Sequence, residues 1–240
     1  MKPVRIRANG CAIIAHRGLS GIERENTIAA FVAAGNRDYF GIETDIWKHK
    51  SGRFLVMHDP HTGRVAGKKL SIRRSCFRRL RRLRLFDREG GERSDLSVPT
   101  LEEYLRVCKR YEKKCVLEFK EAFPEKDVKA ILSIIEKEYA LDRIIFISFH
   151  ASPLKILRRL SEKAEIQLLF SGEVTEKLLS ELKENRFDLD LSRKDLKKED
   201  VLLLHENGVK LNVWTVDDPQ EAEKFISWGA DFLTTNILEG

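Results

Sequence analysis

The sequence predicts an α/β protein folded as a closed (β/α)8 TIM barrel with a small insertion after its second strand. Three observations lead there. Eight strand-like runs, at Ile13, Ile42, Val116, Ile144, Ile166, Phe187, Lys210 and Phe232, recur along the chain, and each but the last is followed by a helix-period segment. Repeated βα units make parallel sheets, and eight of them predict closure. Residues suited to chemistry gather where these strands end, namely His16, Glu43, Asp45, Glu118, Lys120, His150 and Trp214. The C-terminal mouth is where such a barrel carries its site. The alternative, a doubly wound open sheet, lacks its glycine-rich dinucleotide loop here.

The first strand, residues 11–15, is apolar and ends in His16-Arg17-Gly18. Arginine offers a planar fork of donors that matches a phosphate, and histidine can move a proton near neutral pH. A strand-end pair held by local hydrogen bonds is the plainer reading of the two. Gly18 lets the chain turn tightly. Glu25-Asn26-Thr27 precedes the helical pattern Ile28, Phe31, Val32, with Asn26 or Thr27 as its N-cap.

The second strand carries Glu43 and Asp45, two apart and so on one face. Buried carboxylates that close repel unless a cation lies between them, and hard oxygen donors favour Mg²⁺, Ca²⁺ or Mn²⁺ over zinc. Two surface acids on a half-buried strand would give the same pattern. The chain turns at Lys50-Ser51-Gly52 and returns as Phe54-Leu55-Val56-Met57 before His58-Asp59-Pro60. So short a turn predicts an antiparallel hairpin, which could swing His58 back over the carboxylates.

Beyond the hairpin no strand appears until about Val98, and Ile72, Phe77, Leu80 and Leu83 mark a short amphipathic helix. Between residues 64 and 93 twelve Lys and Arg face only Asp87, Glu89 and Glu92, within a chain of net charge +6. Such a stretch is a solvated basic face or a footprint for an anionic polymer or membrane. Thr100 and Glu103 form a capping box ahead of the next helix. Glu118 and Lys120 then share a strand face; on the residues alone, an ordinary Glu–Lys pair on a wet face explains them.

The rest is rhythmic. Helices are expected at 127–139, from a Ser152-Pro153 cap, at 175–185, up to Gly208, and from Asp218-Pro219 to Gly229. His150 reads as a rim residue in preference to a pocket residue, and Trp214 as a pocket wall or a core residue. At 240 residues the chain suits one barrel domain. Its four cysteines show neither CxxC spacing nor pairing with histidine, as for reduced thiols of a cytoplasmic protein. The N-terminus lacks a signal-like apolar region, and no apolar run approaches a membrane span.

His16-Arg17-Gly18, Glu25-Asn26-Thr27, Glu43-x-Asp45 and His58-Asp59, in that order, resemble the signature of the glycerophosphodiester phosphodiesterase family. Pro99-Thr100-Leu101, Glu118-Phe119-Lys120, Ser148-Phe149, Trp214-Thr215-Val216 and Gly229-Ala230-Asp231 extend the resemblance over nearly the whole chain. Arg24 departs from the family's usual proline, and Ser51 from a frequent aspartate.

The resemblance implies one barrel domain over residues 1–240, with a family-type insertion at 46–98 placed over the mouth. It implies a metal-dependent phosphoric diester hydrolase that converts glycerophosphodiesters to sn-glycerol 3-phosphate and an alcohol, within glycerol and lipid metabolism. Glu43, Asp45 and Glu118 would hold the ion (Mg²⁺ or Ca²⁺, or Mn²⁺). His16 and His58 would be the acid–base pair. Arg17, Lys120 and Trp214 would bind substrate. A related phospholipase-type phosphodiesterase is the neighbouring possibility. A binder of anionic polymer or membrane through the basic segment is the one from another class. No nucleic-acid partner and no transmembrane segment are expected, and the sequence leaves the oligomeric state open.

Overall fold

Parallel strands can be joined only by long crossovers, and here each gap between apolar runs holds a helix. The computed structural model describes residues 2–240. Its elements are β1 (Val4–Arg5), β2 (Ala12–Ala15), α1 (Ile28–Gly35), β3 (Gly41–Lys48), β4 (Phe54–Val56), α2 (Phe77–Arg82), α3 (Leu101–Arg110), β5 (Lys114–Phe119), α4 (Glu125–Glu138), β6 (Ile144–Ser148), α5 (Ala151–Leu160), β7 (Glu165–Phe170), α6 (Glu176–Asn185), β8 (Asp188–Ser192), α7 (Lys198–Glu206), β9 (Leu211–Trp214), α8 (Pro219–Trp228), β10 (Phe232–Thr235) and β11 (Leu238–Glu239). The parallel order β2-β10-β9-β8-β7-β6-β5-β3 closes through a β2–β3 pairing, which makes the eight-stranded barrel. β4 adds antiparallel to β3, as the short turn predicts.

Strands covered on both faces should be almost continuously apolar, and β6 (IIFIS) is buried throughout. One face of each strand packs on the helices in a large core that includes Ile13, Leu117 and Phe146. The other face fills the lumen with Ile14, Val116, Ile145, Ile147, Leu169 and Phe232. Thr27 is the N-cap of α1, and its hydroxyl accepts from the Ala30 N–H. The Thr100–Glu103 capping box of α3 is present on both sides. One boundary differs from expectation. α5 begins at Ala151, capped by His150 and not by Ser152, and the His150 N–H bonds the Ser148 hydroxyl. Pro153 therefore occupies the third helical position, where its missing N–H costs nothing because that group has no partner within the helix.

The segment after β4 has a small core of its own, built from Leu55, Met57, Val65, Ala66, Leu70, Ile72, Leu80, Leu85, Leu96 and Val98. Burying each large aliphatic side chain contributes about 1.5–3 kcal/mol, enough to order a segment with little regular structure. Most of its arginines fall into two sets. Arg73, Arg81 and Arg93 pair with Glu121, Glu103 and Glu23 of neighbouring parts of the fold. Arg74, Arg78, Arg79, Arg82 and Arg84 are exposed or nearly so and form no ion pair among the described residues. No helix among the described residues is long and apolar enough to cross a membrane.

Candidate active site

Strand register assembles the acidic cluster. β3 and β5 run side by side with Asp45 opposite Glu118. Glu43 lies on the same face, one pleat below Asp45. One oxygen from each of the three buried carboxylates lies within 4.8 Å of the others. Glu43 and Asp45 do not end their strand, as the sequence suggested. β3 overshoots β2, whose last residue Ala15 pairs with Ile42, and runs on to Lys48 against β4. The overshoot gives the hairpin something to pair with, and the Met57 N–H bonds the Asp45 carbonyl at 3.1 Å. His58, the next residue, thereby reaches the same cavity as Glu43, Glu118, His16, Arg17 and Lys120.

The turn after β2 is equally constrained. Arg17 and Gly18 both have positive φ, +55° and +78°. A Cβ on residue 18 would lie 2.7 Å from the Ala30 backbone carbon, so only glycine fits. The conformation aims the Arg17 N–H at Glu43 Oε2, 2.7 Å away. The Arg17 side chain lies between Glu25 (3.0 Å) and Asp45 (3.5 Å). Lys120 Nζ lies 2.9 Å from Glu118 Oε1 and 3.3 Å from Asp45 Oδ1.

These contacts split the carboxylates. Burial favours the neutral acid, but Arg17 and Lys120 outweigh it at Asp45 and hold that group ionised, well below its usual range. Burial and the Asp45 charge push Glu118 up to about 8 and Glu43 well above the ordinary value. With only protein groups to balance them, the negative charge is favoured at Asp45 and disfavoured at the two glutamates. A hard divalent cation suits this donor set. Asp45 Oδ1 is buried and makes no hydrogen bond beyond its 3.3 Å ion pair with Lys120, and three clustered carboxylate oxygens match the ligands that Mg²⁺, Ca²⁺ and Mn²⁺ take.

The two histidines differ. His16 Nδ1 lies 2.8 Å from Asn236 Oδ1. The Asn236 amide is oriented because its Nδ2 donates to Asp217 Oδ2 at 2.6 Å, which leaves Oδ1, an acceptor, for His16. Nδ1 of His16 therefore carries the hydrogen, and Nε2 has the lone pair. Burial, helped by Arg17, lowers His16 to about 4, so it is neutral at pH 7. His58 Nδ1 instead meets a carboxylate, Asp59 Oδ1, at 2.8 Å. Burial lowers it too, but Asp45 and Asp59 oppose the shift. Asp59 is held in turn by Arg64, which also bonds Glu25 with both terminal nitrogens. A chain of ion pairs thus links Arg17, Glu25, Arg64, Asp59 and His58.

The other side of the cavity is formed by Ile147, Phe149, Leu169, Asp190, Trp214 and Thr234. Trp214 is a wall of the site, set edge-to-face against Phe149 with ring centroids 5.6 Å apart. His150 is exposed and does not line the cavity, in keeping with a rim residue. Sequence reasoning passed over several of these groups. Asn26 read only as a cap, yet its amide donates to Asp45 Oδ2 at 2.7 Å and its carbonyl accepts from Thr44. Asp217 and Asn236 just follow the ends of β9 and β10, which was the available signal. Asp190 sat in an alternating strand that looked ordinary. Its carboxyl is 1% exposed, and burial, then Glu118, raises it well above the usual range.

The fold and site define a barrel whose mouth brings a cation-suited acidic cluster together with phosphate-suited cations and two histidines. The family model of the glycerophosphoryl diester phosphodiesterase family matches residues 16–239, and the chain belongs to that family. It is 29% identical over 231 residues to a glycerophosphodiester phosphodiesterase of Caldanaerobacter subterraneus subsp. tengcongensis, covering 95% of this chain and 94% of that one. It is 26% identical to a glycerophosphodiester phosphodiesterase of Bacillus altitudinis, covering 94% of each. A crystal structure of a glycerophosphodiester phosphodiesterase from Parabacteroides distasonis is 28% identical, with a TM-score of 0.77 over 98% of this chain and 94% of that one. The fold also matches an Oleispira antarctica phosphodiesterase in complex with the product sn-glycerol-3-phosphate, at 22% identity and a TM-score of 0.87 over 97% and 96% of the chains.

Proposed function

We propose that this protein is a divalent-metal-dependent phosphodiesterase that hydrolyses glycerophosphodiesters to sn-glycerol 3-phosphate and an alcohol. The observation that carries the reading is one cavity shared by Glu43, Glu118, Arg17, Lys120, His16 and His58. Glu43, Asp45 and Glu118 would hold the ion (Mg²⁺ or Ca²⁺, or Mn²⁺). When bound, the ion supplies charge neutralisation at the phosphate and Lewis acidity.

Arg17 and Lys120 would bind the non-bridging phosphate oxygens, each held in place by carboxylates and kept protonated by them. His16 is suited to be the general base. It is neutral, and its Nε2 can take the nucleophile's proton, whether that nucleophile is water or the substrate's 2-hydroxyl. His58 is suited to be the acid, because the Asp59 carboxylate at its Nδ1 favours the starting imidazolium against the burial that lowers its pKa, and the proton on its other nitrogen can then pass to the leaving alkoxide. Trp214 would pack against the glycerol moiety. The four unpaired cysteines favour a cytoplasmic location, which we also propose.

The test is release of glycerol 3-phosphate from a panel of glycerophosphodiesters, with and without a chelator. Release that stops on chelation and returns with Mg²⁺ or Ca²⁺ is expected. No release from any of the panel would overturn the assignment.

A further inference from the structure

The geometry points to Asp190 as a residue that selects substrate by accepting a hydrogen bond from the free terminal hydroxyl of the glycerol moiety. This rests on the proposed glycerophosphodiester reading and deepens it by naming the residue of this chain that would tell a free terminal hydroxyl from a blocked or missing one.

Asp190 lies in β8, on the wall facing the charged cluster, among Ile147, Phe149, Leu169 and Trp214. Its Oδ1 is buried without a hydrogen-bond partner. The polar groups nearby in the barrel are already engaged with one another. Asn212, opposite Asp190 in the register, donates from Nδ2 to Gln167 Oε1 and accepts on Oδ1 from Thr234, both at 3.1 Å. Trp214 Nε1 bonds the main-chain oxygen of Asp190 at 3.0 Å, not its carboxyl. A buried carboxyl oxygen without a partner costs about 1–3 kcal/mol, and a ligand that supplies the missing partner recovers that cost.

The ligand's own layout supplies it. A phosphate held by Arg17, Lys120 and the metal cluster lies on the β2–β5 side. The C2 hydroxyl stays beside the phosphate. The terminal hydroxyl, one carbon further on, is the polar group that reaches the opposite wall, where the polar side chains are Asp190 and Thr234. An acyl ester there would remove the hydroxyl donor and set hydrocarbon against a buried carboxyl, which is unfavourable on both counts. Burial, then Glu118, raises Asp190 well above the usual carboxylate range, which lessens its repulsion of the phosphate.

The experiment is a double-mutant cycle between protein and ligand. Binding of sn-glycerol 3-phosphate and of propane-1,2-diol 1-phosphate, which lacks the terminal hydroxyl, is measured by calorimetry on the Mg²⁺-loaded wild type, Asp190→Val and Asp190→Asn. In the wild type, loss of the hydroxyl should weaken binding by about 10–100-fold. In Asp190→Val the gap should shrink to less than about threefold, and Asp190→Asn, which keeps a carbonyl acceptor, should retain most of it. A purely structural role would weaken both ligands together, and an unchanged gap in a folded Asp190→Val overturns the inference while leaving the parent reading intact. If the valine variant fails to fold, a wild-type gap below about threefold overturns it instead. A wild type that binds neither phosphate overturns both.

Discussion

The two sides of the barrel mouth are made in opposite ways. On the β2–β5 side, nearly every side chain is ionisable and already bonded to its neighbour: Arg17 to Glu25 and Asp45, Lys120 to Asp45 and Glu118, His58 to Asp59. On the β6–β10 side the wall is aromatic and aliphatic, with Trp214 braced by Phe149. The first side holds positions through competing charges, so removal of one group changes the ionisation of the rest. Apart from Asp190 and Thr234, the second holds positions through packing, so a substitution of its aromatic or aliphatic residues changes shape and little else. Chemistry should therefore fail when the charged side is altered, and recognition when the apolar side is.

The largest expected effect is on the charged side. Glu43→Gln removes a ligand charge with almost no change in volume, and kcat should fall by about 10³-fold or more while circular dichroism and melting temperature stay near wild type. Retention of turnover, or full activity after exhaustive chelation, would erase the distinction between the sides. Next come His16→Ala and His58→Ala, each expected to lower kcat by about 10²-fold or more if proton transfer limits the rate. A kcat left intact in either variant would remove that histidine from the chemistry.

The split among the carboxylates predicts a pH effect with a definite sign. Burial, then the Asp45 charge, pushes Glu118 up to about 8 in the folded chain, against an ordinary 4.5. Between those values the folded state holds a proton that the unfolded state has lost. In chelator, Glu118 should therefore make stability fall as pH rises from 4.5 to 8, and Glu118→Gln should flatten that slope. Since an ion must displace the proton, Mg²⁺ affinity should climb over the same interval. Melting curves across pH, with and without Mg²⁺, check both.

Smaller effects sharpen the contrast from the other direction. Trp214→Leu should raise KM by about 2–10-fold and leave kcat within about twofold. Smallest is the basic segment, where reversal of Arg74, Arg78, Arg79 and Arg82 to Glu should leave kcat unchanged. A few-fold loss in kcat/KM should fade as salt rises, because exposed charges act over about 8 Å at physiological ionic strength. A salt-independent collapse of kcat in that variant would mean that the segment supplies catalytic chemistry.

The charged side was far more legible in the sequence than the apolar side, for a physical reason. Glu43-x-Asp45 and Glu118-x-Lys120 advertise a shared face through the strand period of two, and the hairpin turn fixes where His58 goes. The eight βα units were legible because apolar periodicity is local. Interactions that close the barrel are not local. His16 and Asn236 are 220 residues apart in sequence, and nothing near either names the other. Asp190 was hidden by its context. In Asp188-Leu189-Asp190-Leu191 the two acids alternate as on any half-wet strand. Yet Asp188 accepts from the Lys210 N–H, while Asp190 lines the cavity with its Oδ1 buried and without a hydrogen-bond partner. Sequence patterns report which face a residue takes, and they do not report whether that face meets water.

The bond between His16 and Asn236 also sets an order of events when the protein is made. Chains leave the ribosome from their N-terminus and fold as they emerge. His16, the three carboxylates and Lys120 all belong to the first half of the chain, and are available early. The group that fixes the hydrogen of His16 follows β10, the strand that pairs with β2 and closes the ring. β11 then pairs with β1, so the last residues dock beside the first. A nascent chain therefore carries every charged group of the site long before His16 has its partner. A chain that stops short of β10 would leave β2 exposed as a sheet edge and His16 without the Asn236 partner that fixes its tautomer.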